Sequence, residues 1–288
     1  METNDLLKKV RKIEIKTRGL SQNIFAGEYH TAFKGRGMTF AEVRDYQYGD
    51  DVRAIDWNVT ARFGRPYIKI FEEERELTVI LLVDVSGSLE FGTTNQYKKD
   101  IITEVAATLA FSTIQNNDKV GAIFFSDQVE KFIPPKKGKK HVLHIIRELL
   151  VFKPESNKTD IAGALKYFTN AIKKRSTAFI ISDFMDNGFE RTLSIANNKH
   201  DIAALQVYDI REAEIPNVGM IKIKDAETSE RIWIDTSDKR LRTAYKHQWN
   251  ERQLQLQKIF KQSGVDSVSM STSDDYVRAM MKLFKLRA

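Results

Sequence analysis

The stretch Leu77–Leu89, LTVILLVDVSGSL, constrains the fold of this chain more than any other. Its first half is an unbroken apolar run between polar flanks. Such a run reads as a strand buried on both faces, the situation of a central strand in a parallel sheet. The run ends in Asp84, Ser86 and Ser88, which fall in the turn at the C-terminal end of the strand. Open α/β sheets bind ligands at that edge. Three hard oxygen donors so close together point to a small divalent cation, Mg²⁺ first, with Mn²⁺ or Ca²⁺ as alternatives.

Around this strand the pattern is regular. Strand 77–84 is followed by a helix at 96–116, strand 119–125 and a tight turn at Ser126-Asp127. Segment 129–133 then returns antiparallel. Helices at 139–152 and 160–174 lead to strand 176–183, another continuous apolar run. A helix at 188–198 and strand 201–209 follow. A hairpin (218–224 with 230–235), a long helix at 238–263, strand 265–270 and a helix at 274–286 close the chain. Repeated parallel crossovers predict an α/β fold, a doubly wound and mostly parallel sheet with one antiparallel edge strand. Upstream, residues 2–18 carry Leu6, Leu7, Val10 and Ile13 at helical spacing. Residues 27–76 are rich in Gly, Arg, Asp and aromatics, and read as a small irregular β-rich module with Trp57 in its core. The predicted organisation is therefore 1–76, an N-terminal helix and module, and 77–288, the α/β domain with a hairpin insertion at about 211–236.

Chain direction extends the cation set. If strand 77–84 ends at the top, helix 96–116 descends and strand 119–125 climbs. The antiparallel edge strand descends and helix 139–152 climbs again, so the loop ending in Thr159 arrives at the top. Strand 176–183 also finishes there, with Asp183. Asp84, Ser86, Ser88, Thr159 and Asp183 thus share one sheet edge. Mg²⁺ takes near-octahedral oxygen ligands and usually keeps several waters. A site this poor in charged direct ligands leaves a position for an acidic side chain of a partner. Asp160, beside Thr159, reads as a helix N-cap.

Asp84-x-Ser86-x-Ser88, followed by Thr159 and Asp183, resembles the metal-ion-dependent adhesion site of von Willebrand factor A domains. The upstream run GRGMTFAEVRDYQYGDDVRAIDWNVTAR, with KIFEEERE before the central strand, resembles the signature of the bacterial "domain of unknown function 58" family. The resemblance covers about residues 18–210. It implies a von Willebrand factor A-like fold, a cation at the five named positions, and a MoxR-type AAA+ ATPase as partner.

Other function classes fare worse. An enzyme of phosphoryl transfer or hydrolysis could use Asp84, but haloacid-dehalogenase-like phosphatases need a second acid two residues on, and position 86 is Ser. Neither a Walker-type G-x-x-x-x-G-K-[ST] nor a G-x-G-x-x-G after a strand is present. The formal charge of +7 allows an acidic partner, nucleic acid or an anionic surface. Yet no helix-turn-helix, zinc-finger or ribonucleoprotein motif supports nucleic acid. Lys136, Lys137, Lys139, Lys140 and Arg147 read as a solvated face, and His141 with His144 lack a third metal ligand. The 288 residues contain no cysteine, which excludes disulfides and thiolate chemistry. With no apolar stretch near the ~18 residues of a membrane span, the expected location is the cytoplasm.

Overall fold

The computed structural model describes residues 10–16, 39–72, 77–90, 97–224 and 231–287. The chain divides into two compact units, residues 34–77 and the rest.

The smaller unit pairs β1 (Thr39–Asp45) antiparallel with β2 (Tyr67–Glu72). Between them runs a short helix, Trp57–Phe63, where irregular structure was expected. Its signals are local. Asp56 caps the N-terminus by accepting from the backbone N–H groups of Asn58 and Val59, and Gly64, with φ of 70°, closes the C-terminus. Seven residues carry too little periodicity to be seen as a helix. Trp57 is 68 % exposed, which corrects its assignment to the core. Acidic and basic residues of the segment form a polar network. Arg44 donates to both carboxylate oxygens of Asp50 at 2.8 and 2.7 Å, and Gln47 N–H adds a third bond at 2.8 Å.

The larger unit is built on a six-stranded sheet. We number its helices from α1, residues 10–16. The strands are β3 (Thr78–Asp84), β4 (Lys119–Phe125), β5 (Val129–Lys136), β6 (Thr177–Ser182), β7 (Asp201–Tyr208) and β10 (Asp266–Ser271). Their order is β10-β7-β6-β3-β4-β5, all parallel except β5, which runs antiparallel to β4 at the edge. β5 extends through Pro134 and Pro135, tolerated there because an edge strand has one face of its ladder unpaired. Counting the short helix above as α2, the remaining helices are α3 (Lys98–Gln115), α4 (Lys139–Val151), α5 (Ile161–Ala171), α6 (Glu190–Lys199), α7 (Ile210–Ala213), α8 (Lys239–Gln262) and α9 (Tyr276–Arg287). A hairpin of β8 (Met220–Lys224) and β9 (Arg231–Asp235) stands outside the main sheet.

Side-chain alternation along β3 explains its burial. Ile80 and Leu82 join a core with Leu165 and Phe168 of α5, Leu193 of α6, and Leu256 and Phe260 of α8. Val79, Leu81 and Val83 point to the opposite face and are equally buried. Helix α1 belongs to this larger unit rather than to the N-terminal module. Lys16 pairs with Glu104 of α3 and Glu14 with Lys139 of α4, both at 2.5 Å, which tie it there.

Strand order reverses between β3 and β6, since the chain leaves β3 towards β4 on one side and later returns to β6 on the other. In open sheets this switch point opens a crevice beyond the carboxyl ends of the strands.

Candidate functional site

Asp84 is the last residue of β3 and lies at that switch point, fully buried. Its Oδ1 accepts the N–H of Ser86 at 2.9 Å, which bends the chain out of the strand. A 3-10 turn, Gly87–Glu90, then brings Ser88 Oγ within 3.0 Å of Ser86 Oγ. The three oxygen-bearing side chains of the sequence motif are thus placed together.

The loop before α5 comes to the same edge. Gly87 N–H donates to the carbonyl of Asn157 at 3.1 Å, and Asp160 N–H donates to the carbonyl of Ser126, just past the end of β4, at 2.8 Å. Half-buried Thr159 sits between these two anchors. A Cβ on Gly87 would come within 2.9 Å of the Asn157 side chain, so this approach of the two loops requires glycine. Asp160 caps α5 through the N–H of Gly163 at 2.8 Å, as its sequence position predicts. Asp186, from the loop after β6, accepts the N–H of Ile161 at 2.8 Å and fastens that loop to the same helix start.

Asp183 follows β6, the strand beside β3. Phe184 next to it adopts φ of 55°, a left-handed conformation that is uncommon for a bulky residue. Packing holds it there, against Phe260 at 5.1 Å and Phe189 at 6.0 Å between ring centroids. The turn that results lets Asp183 Oδ1 accept the N–H of Met185 at 3.2 Å.

Three residues of this site had not been singled out. Ser182 donates to Asp84 Oδ2 at 2.6 Å and accepts from Phe184 N–H at 3.0 Å, fixing the first carboxylate against the β6 turn. Lys98, in the first turn of α3, is completely buried and donates to Asp183 Oδ2 at 2.8 Å. It also donates to Glu212 Oε1 at 2.6 Å. Glu212 belongs to α7, where its other oxygen accepts the N–H of Asp209 in a capping box. A faint signal of Lys98 existed in the sequence, because a lysine in the first helical turn opposes the helix dipole unless an anion compensates it.

The electrostatics follow from burial. Desolvation, and then the like charge of Asp183, push the Asp84 carboxyl up to about 7, and the hydrogen bonds from Ser182 and Ser86 only partly oppose this. Burial would lower the Lys98 ammonium, but Asp183 and Glu212 outweigh it and the net shift is upward. Burial also raises Glu212, against the pull of Lys98. Asp183 and Glu212 share the Lys98 ammonium, and Asp84 beside Asp183 adds a third carboxylate, so ionising all three leaves two negative charges uncompensated by Lys98.

This donor set fits a hard divalent cation. It offers hydroxyls and carboxylates, no soft ligand, and the charge excess such an ion neutralises. Among the described residues no three His, Cys, Asp or Glu side chains are grouped to hold a metal. Any cation here therefore depends on the hydroxyls of Ser86, Ser88 and Thr159. A cavity of about 30 Å³ beside Asp84, Ser86, Gly87 and Asn157 has room for a water-sized group. His141 Nε2 donates to the Val120 carbonyl at 2.9 Å.

A mostly parallel six-stranded sheet with one antiparallel edge strand carries this cluster at its switch point. The chain belongs to the family described as "Protein of unknown function DUF58", which matches residues 42–255. It is 31% identical over 222 residues to the uncharacterized protein Rv1480 of Mycobacterium tuberculosis, covering 76% of this chain and 70% of that one. Over a shorter stretch of 111 residues it is 30% identical to YeaD of Bacillus subtilis, covering 38% of this chain and 26% of the relative. Among solved structures, the conserved hypothetical protein BatB from Bacteroides thetaiotaomicron is similar in fold. Its TM-score is 0.51 at 17% identity, over 73% of this chain and 98% of that one. An aerotolerance-related membrane protein from Bacteroides fragilis gives the same TM-score at 16% identity, over 73% and 99%. In this chain, no helix among the described residues is long and apolar enough to cross a membrane.

Proposed function

We propose that this chain is a non-enzymatic protein-interaction module that binds an exposed Asp or Glu of a partner through a divalent cation, Mg²⁺ first. Ser86, Ser88 and Thr159 would hold the ion directly. Asp84 and Asp183 would bind it or orient its waters, and the partner carboxylate would complete the shell. The observation that carries this reading is the hydroxyl cluster beside buried, under-compensated carboxylates at the switch point of the sheet. The cation supplies a Lewis-acidic point at the surface, and the protein's own groups set its position and charge.

We infer a MoxR-type AAA+ ATPase as the partner, with this chain as its adaptor, as the resemblance read from the sequence implies. We assign the work to the cytoplasm, where such an ATPase finds its nucleotide. Isothermal titration of Mg²⁺ into the wild-type chain and into Asp84→Ala tests the metal half, and equal heats would overturn it. Co-purification with a MoxR-type ATPase, present for wild type and lost in Asp84→Ala, tests the partner half. Mg²⁺-dependent phosphatase turnover that Asp84→Ala abolishes would replace this reading with an enzymatic one.

A further inference from the structure

A fully buried lysine is costly, and one that reaches a candidate cation ligand rather than solvent calls for a reason. Lys98 Nζ lies 2.8 Å from Asp183 Oδ2 and 2.6 Å from Glu212 Oε1, with no exposure of its own side chain. Asp183 is thus shared property: the oxygen that faces the ammonium is part of the carboxylate available to an incoming ion. Glu212 is the counterweight. It sits on α7, whose start is fixed by Asp209 through the hydroxyl of Thr272 at 2.9 Å, at the end of β10. Neither Lys98 nor Glu212 belongs to the five-residue cation set.

We propose that Lys98 is a built-in counter-cation that tunes how tightly the site takes a divalent ion. It competes for Asp183, and Glu212 sets how strongly it does so. This rests on the reading that the site binds Mg²⁺. With Glu212 ionised, part of the ammonium's charge is spent on α7 and Asp183 remains attractive to the ion. Without that charge, Lys98 is committed to Asp183 and repels the ion. A displacement of α7 away from Lys98 would weaken cation binding in the same way. By linkage, cation binding would then favour the position of α7 seen here.

The design makes two substitutions act in opposite directions. Lys98→Met keeps the length of an apolar stem and removes the positive charge, so Mg²⁺ should bind at least about tenfold tighter, the lower limit for a unit charge a few ångströms from a divalent ion in a water-like dielectric. Glu212→Gln retains an oxygen for the Asp209 N–H and removes a negative charge, so Mg²⁺ should bind about tenfold weaker. The double variant should return towards the wild-type Kd. A merely structural salt bridge would weaken binding in both single variants, because each would loosen the site.

Isothermal titration of Mg²⁺ into the full chain and these three variants reads the result, with circular dichroism confirming that each is folded. Opposite shifts support the proposal. Shifts in the same direction, or none, overturn it while leaving the cation reading intact. No Mg²⁺ binding by the wild type overturns both. If Lys98→Met does not fold, Lys98→Gln takes its place: tighter binding supports the proposal, and weaker or unchanged binding overturns it.

Discussion

Replacing Asp84 with Asn should stabilise the cation-free protein, although Asp84 is fully buried and hydrogen-bonded. The carboxyl is pushed from 3.8 to about 7, first by burial and then by Asp183. A folded value above the unfolded one means that the native state holds the proton more tightly. That contribution is fully present below the unfolded value and is lost as pH rises through about 7. A shift of about three pKa units corresponds to a loss on the order of 4 kcal/mol at alkaline pH. Asn cannot ionise and avoids this loss. It does disturb one bond, since Ser182 Oγ donates to Oδ2 and also accepts from Phe184 N–H. That disturbance costs about 1 kcal/mol. At pH 7.5 in EDTA the variant should therefore be more stable by roughly 2–3 kcal/mol, raising Tm by about 5 °C or more. Adding excess Mg²⁺ should raise the wild-type Tm and leave the variant unchanged. Thermal melts in the two buffers provide the assay. A variant less stable than wild type in EDTA, or equally stabilised by Mg²⁺, would refute the reasoning.

Two other perturbations follow from the same structure. His200 is buried against Phe168, and its value is lowered to about 4 by desolvation and then by Lys199 and Arg175. A lowered folded value means stability is present above about 6.5 and lost as pH falls through 4, on the order of 3 kcal/mol. Urea melts across that window should show a shallower acid loss for His200→Gln, and parallel curves would count against this cause. Gly87→Ala should weaken Mg²⁺ binding about tenfold with little change in circular dichroism, because its Cβ meets Asn157 at 2.9 Å and pushes back the Thr159 loop. Unaltered titration heats would show that the loop has slack.

Long elements were legible because burial and periodicity agree along their whole length. Strands β3, β4 and β6 are nearly continuous apolar runs in the sequence and are buried on both faces of the sheet. Chain direction alone brought Thr159 and Asp183 towards Asp84, because parallel crossovers leave little choice of end. The short helix at Trp57 was missed since its evidence lies in caps rather than in a stripe. Trp57 itself shows that an aromatic residue need not be core in a small unit with little interior to offer. Lys98 was missed for a different reason. Its partners, Asp183 in the loop after β6 and Glu212 on α7, lie far along the chain, and nothing within one helical turn of Lys98 announces them. Ser182 looked like the last residue of an apolar strand, and its role depends on the exact lateral register of β6 with β3.

The central claim is that Ser86 and Ser88 hold a hard cation. Crystals of the full chain grown with Mn²⁺, measured at the manganese absorption edge, test it most directly. One anomalous peak is expected about 2.0–2.3 Å from both Ser86 Oγ and Ser88 Oγ, near Asp84 and Asp183. A fully ordered site with no peak there, or a peak only elsewhere on the molecule, would contradict it.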